Sequence, residues 1–215
     1  MRLVIVLAVA WAFAPVPAAA CSVVSGYRVP TNIELVAEAD LVVLARVIGA
    51  GVAPPGRHYD NRVWLQPIRA IKGRAPARLQ AYGHLTRFMP GREEPYPLMV
   101  TPLDRAHPSA GWGACLRQAY RKGGLVVAMF RKQGAGFVQT GAPFSRAIED
   151  VSGPDGLWVR AAMLYAKILA TTPPGDRRAA FAAERDRLLG RAGDAEARAI
   201  AEDIGRYLAS PAAAR

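Results

Sequence analysis

The sequence predicts an α+β chain that is mainly β in its first part, and three observations carry that prediction. The apolar pattern is strand-like up to about residue 153 and helical after it. "GLVVAMF", the turn "RKQGAG" and "FVQTG" together read as a β-hairpin. Thr31 and Glu34 in "PTNIELVAEAD" have capping-box spacing behind Pro30, which predicts a short helix over 32–39 ahead of the strands.

"LVVLARVIGA", rich in β-branched residues, reads as a buried strand over 41–50 that ends at Gly49 and Gly51. In "NRVWLQPIRAIKG", Val63, Leu65 and Ile68 alternate around Pro67, and a proline there belongs to an edge strand or a bulge. "ARLQAYGHL" continues the pattern as its neighbour. The Pro- and Gly-rich stretch 88–112 reads as a long surface loop, with a short strand at "PLMVT". Beyond "SGPDG" the period changes. Leu157, Trp158, Ala161, Leu164, Tyr165, Ile168 and Leu169 share one helical face that ends at Pro173 and Pro174. Asp176 is placed to cap a second helix with Phe181, Leu188 and Leu189 inward. Asp194 is placed to cap a third with Ile200, Ile204, Tyr207 and Leu208 inward.

The start of the chain reads as an export signal. Met1 and Arg2 precede an apolar run, Leu3 to Phe13, and Ala18 and Ala20 occupy the small-residue positions of a cleavage site, so the mature chain is expected to begin at Cys21. Export places the protein in a periplasm or outside the cell. It also argues against nucleic acid as a partner, despite 28 Lys and Arg against 17 Asp and Glu and a net charge of +11. The basic residues are dispersed arginines, which read as a solvated surface, with an anionic glycan or other envelope component as the alternative.

Cys21 and Cys115 are the two cysteines of the chain. An even count in an oxidising compartment favours a disulfide, which would tie down the mature amino terminus. The alternative is a lipid anchor on Cys21, which excludes the bridge and is the one route to a membrane. Ala18 stands where lipid-attachment sites usually carry an aliphatic residue.

No catalytic motif is visible. His58, His84 and His107 have no metal-ligand spacing and read as surface or loop residues, and there is no GxSxG elbow. Cys115 or Ser109 beside His107 is the nearest approach to a nucleophile and base. The pairs Glu93–Glu94 and Glu149–Asp150 read as solvated charge, because adjacent strand side chains face opposite ways. The expectation is therefore a protein without catalytic activity, intrinsic metal or cofactor.

An amino-terminal Cys21-Ser22, a helix closing in "AEAD", the strand "LVVLARV", "IRAIKG" ending at Lys72-Gly73, and "ACLRQAYRKGGLVVAMF" before a hairpin resemble, in that order, the netrin-like module of tissue inhibitors of metalloproteinases. The resemblance implies an OB-type five-stranded barrel over 21–151, with the helices of 152–215 as an extension packed on it. It also implies a contact edge made of Cys21, Ser22, Val23 and Tyr27, with Trp112 and Cys115 beside them. In that family the terminal cysteine offers its α-amine and carbonyl oxygen to a protease's zinc, and the next residue enters the specificity pocket. Here Cys21 and Ser22 would take those roles. The Cys-x-Cys start is Cys21-Ser22-Val23 in this chain, so a plain binding module with a protein or glycan partner is the leading expectation and zinc-protease inhibition the alternative.

Overall fold

The protein is described by a computed structural model covering residues 23–51, 61–86, 98–113 and 115–211. Cys21, Ser22, the signal stretch, His58 and the Glu93–Glu94 pair lie outside the described residues. The elements in chain order are α1 (Asn32–Glu38), β1 (Leu41–Ala50), β2 (Arg62–Lys72), β3 (Leu79–Tyr82), β4 (His84–Leu85), β5 (Ala119–Tyr120), β6 (Leu125–Gln133), β7 (Gly136–Gln139) and β8 (Ile148–Val151), then α2 (Leu157–Thr171), α3 (Arg177–Leu189) and α4 (Ala195–Ala209). Two 3-10 turns, Pro108–Gly111 and Pro174–Asp176, complete them.

Six strands form one antiparallel sheet in the order β3-β2-β1-β6-β7, with β8 sharing the outer edge of β6. β7 pairs with residues 130–133 of β6 and β8 with residues 125–128. β4 and β5 make a separate parallel pair. The barrel expected from the family resemblance is not closed by a strand ladder. The sheet curls until β3 and β7 meet through a side chain, the Tyr82 N–H donating to Gln139 Oε1 at 3.0 Å.

The alternation of β1 sends its side chains to two cores. Leu41, Val43, Ala45 and Val47 point into the curl with Val63, Leu65, Val126, Ala128 and Phe130. Val42 and Leu44 point outward, beside Val127 and Met129, and meet α1 and the three later helices. The cross-strand pairs Val43↔Ala128 and Val42↔Met129 show the register that keeps both faces apolar. A slip of one residue would exchange the faces of the whole strand. Pro67 sits where the β1–β2 register shifts, opposite Ala45 and beyond the reach of β3, so it removes no ladder bond on that side.

α1 forms as its capping box predicts, with the Thr31 hydroxyl accepting from the Glu34 N–H and the Glu34 carboxylate accepting from the Thr31 N–H. Its carboxy-terminal carbonyls, Val36 O and Ala37 O, accept from Lys72 Nζ at 2.8 and 2.9 Å. Gly73 follows with φ 76°, and a Cβ there would lie 2.2 Å from Asp40 O. The Lys72-Gly73 pair is thus what lets β2 end against the α1–β1 corner.

The α2 face falls as the period predicts, with Trp158, Ala161, Tyr165 and Leu169 buried. Phe181 from α3 packs edge-on between the Tyr165 and Tyr207 rings, at 6.0 and 5.3 Å. Two details of the later helices need correction. Leu189 is 54% exposed, because it follows Leu188 by about 100° of helix and only one of the pair can face the core. Asp176 makes no side-chain cap, since it already has helical dihedrals at the end of a 3-10 turn, whereas Asp194 is extended and accepts from the Ala197 N–H at 2.9 Å.

Candidate functional site

Residues 98–113 form an irregular segment with one 3-10 turn, as their proline and glycine content predicts, but it is not wholly at the surface. No strand forms at residues 98–100. Thr101, Leu103, His107, Ser109 and Ala110 are all buried, and the segment lies along β8 as a cover. Its partners are the two carboxylates expected to be solvated. Glu149 is 1% and Asp150 4% exposed. Glu149 accepts from Thr101 Oγ1 at 2.8 Å and from the His107 N–H at 2.9 Å. Asp150 accepts from the Met99 N–H at 3.2 Å and from Arg117 Nη2 at 2.5 Å. Adjacent strand residues do face opposite ways, but the cover and Arg117 wrap both faces of this edge strand. The Trp158 indole N–H, donating to Thr101 O at 2.8 Å, fixes the cover to α2 as well.

His107 is likewise a core residue, while His84 is exposed as expected. The Ser109 N–H donates to His107 Nδ1, so the ring proton sits on Nε2, which faces Asp150 Oδ2 at 3.5 Å. Ser109 Oγ lies 2.8 Å from Nδ1 and accepts from the Gln118 and Ala119 N–H groups. Serine, histidine and aspartate therefore stand in line, but with the two ring nitrogens exchanged relative to a hydrolase triad. Ser109 is 0% exposed and its hydroxyl is spent on backbone amides. As folded, this constellation orders a loop and has no face to offer a substrate.

The charges follow from burial. Burial pushes the Glu149 carboxyl up to about 7, against Arg117 and the two hydrogen bonds it accepts. Burial also opposes ionisation of Asp150, but the His107 bond and the Arg117 guanidinium outweigh it and hold that carboxyl below the usual range. His107 is pushed below the usual histidine range, first by burial, with Asp150 opposing and Arg117 assisting. Arg117 also lies over the Tyr120 ring, 4.5 Å from its centre, and this covers the end of the inner core.

The cover delivers Trp112 to the surface. His107 is the first flanking residue of the 3-10 turn and Trp112 the last, and Trp112 is 52% exposed. Of the residues expected at the contact edge, Val23 is exposed, and its neighbour Val24 is more so, at 78%. A turn closed by the Tyr27 N–H on Val24 O leads to Tyr27, whose hydroxyl donates to Pro143 O at 2.7 Å. The next residue, Phe144, donates its N–H to Cys115 O at 2.6 Å. Cys115 and Phe144 are the two described non-glycine residues in the left-handed region, at φ 57° and 58°. Backbone of this kind persists only where surrounding structure holds it, and it concentrates at functional sites. Tyr27, Pro143, Phe144 and Cys115 thus link the amino-terminal stretch to the Trp112 loop. Cys21 and Ser22 lie outside the described residues.

Loop 142–146 was missed by sequence reasoning because its role rests on backbone carbonyls and on Arg146. That side chain donates to Asn32 Oδ1 at 2.7 Å and to Pro30 O at 2.6 Å, fastening the stretch just after Tyr27. Among the described residues no three His, Cys, Asp or Glu side chains gather as metal ligands do, and no helix is long and apolar enough to cross a membrane. No protein-family model matches the chain, and no curated protein does.

Proposed function

We propose that this is an exported, non-catalytic binding protein of the cell envelope, a netrin-like module whose curled sheet serves as an OB-type barrel. The single observation that carries the reading is the pair of hydrogen bonds, Tyr27 hydroxyl to Pro143 O and Phe144 N–H to Cys115 O, that ties the stretch bearing exposed Val23 and Val24 to the loop bearing exposed Trp112. Exposed aromatic and aliphatic side chains on a rigid base are what a protein partner buries at the centre of an interface. An anionic glycan would instead ask for converging arginines, so a protein partner is the better fit. The Cys21–Cys115 bridge belongs to the same proposal.

The test is site-specific photo-crosslinking in the native host. A photoreactive amino acid at position 112 should give a discrete adduct with an envelope protein. The same group at Ile68, an exposed apolar residue on β2, should not. Equal adducts at both sites, or none at position 112, would contradict the reading.

A further inference from the structure

Trp112 reaches the surface on a segment that one buried carboxylate, Glu149, grips at two points, beside the holds supplied by Asp150, by the Trp158 indole on Thr101 O and by the Asn32 amide on Leu103 O. Glu149 takes the Thr101 hydroxyl through one oxygen and the His107 N–H through the other, and so grips the cover at two points, the second of them where the turn to Trp112 begins. Asp150 adds the Met99 N–H and the His107 ring. The charged and titratable groups facing Glu149 are His107 on the cover, Arg117 ahead of β5, Tyr120 on β5, Asp150 on β8 and Arg146 in the loop before it.

We propose that Glu149 is a proton-operated latch: with its carboxyl protonated the 98–113 segment closes on β8, and on ionisation the segment loosens and Trp112 is presented less rigidly. The regulatory meaning of this latch rests on the reading of the Trp112 edge as the contact surface. Its mechanism does not.

The protonated acid keeps both contacts. One oxygen still accepts from the His107 N–H, while the acid proton is donated to the Thr101 hydroxyl, which accepts as readily as it donates. The ionised form keeps the same bonds but holds a charge out of water, a burial cost to which Asp150 adds a smaller repulsion and which Arg117 and the two hydrogen bonds only partly offset. Opening the segment lets water solvate that charge, so proton loss favours the open form. Of the facing groups, Tyr120 stays neutral because burial raises its phenol, and Asp150 stays ionised. His107 is held below its usual range, and its own protonation favours opening at acid pH.

Hydrogen exchange of residues 98–113 tests the latch without any partner. Glu149→Gln mimics the protonated acid and leaves His107 in place, so the ratio of wild-type to variant opening isolates Glu149. That ratio should rise about tenfold between about pH 6 and about pH 8 after correction for intrinsic exchange rates. A flat ratio would overturn the proposal. If the variant does not fold, infrared spectra of the wild-type protein with isotope-labelled glutamate decide. A buried carboxylic-acid band present near pH 6 and lost by pH 8 supports the latch, and its absence near pH 6 refutes it. Failure of the crosslinking experiment would leave both of these results standing.

Discussion

The Arg117 guanidinium donates to Asp150 Oδ1 at 2.5 Å with both side chains buried, across 33 residues of sequence. This pair joins the segment ahead of β5 to β8, and the cover that carries Trp112 is laid over it. Asp150→Ala should therefore destabilise by about 3–5 kcal/mol, because it leaves a buried cation unpaired. Urea denaturation followed by circular dichroism measures this. A loss under 1 kcal/mol would mean that the ion pair is not the anchor of the edge.

Gly73 is held at φ 76° with Asp40 O where a Cβ would go. Gly73→Ala should cost about 2 kcal/mol or more, combining a left-handed backbone with a clash against main chain that cannot swing away. A thermal melt of the variant checks this, and an unchanged midpoint would show that the α1–β1 corner gives way more easily than the fold implies.

Glu34 makes the acid limb of stability steep. The Arg28 guanidinium, followed by the Thr31 N–H and hydroxyl, holds its carboxyl down to about 2 against the opposing effect of burial. A depressed folded-state value stabilises above the unfolded value and is lost as pH falls toward 2. Glu34→Gln should therefore be less stable than the wild type near pH 6 and converge with it near pH 2. Glu149 has the opposite sign. Its raised value means that stability declines as pH rises from about 4.5 to about 7, a decline that Glu149→Gln should abolish.

Trp112→Ala should leave stability nearly unchanged, within about 0.5 kcal/mol, while removing partner binding. Trp158→Ala, by contrast, empties the outer core and strands Thr101 O, at about 3–5 kcal/mol. Comparing the two by calorimetry and by partner capture separates the contact tryptophan from the structural one.

Elements whose burial follows from their own period were legible in the sequence. The buried strand over 41–50, the hairpin across Gly134 and the α2 face from Leu157 to Leu169 all appear where the pattern places them. The cover was not legible. Its Pro and Gly content and its polar residues describe a loop, and it is buried because Glu149 and Asp150 reach it from 42 and 51 residues away. Two adjacent acids carry no local sign that Arg117, Thr101 and His107 will close around them. The contact edge was legible in part. Tyr27, Trp112 and Cys115 were singled out, whereas Pro143 and Phe144, which join them, act through main-chain atoms that leave no mark in residue type.

The proposed Cys21–Cys115 bridge would pin the mature amino terminus covalently beside the Trp112 loop. Intact mass of the protein from its native host, with a non-reducing peptide map, tests it most directly. The account predicts a chain beginning at Cys21, lighter by two hydrogens than its reduced form, with residues 21 and 115 in one linked peptide pair. A diacylglycerol on Cys21, a different first residue, or two unlinked thiols would contradict it.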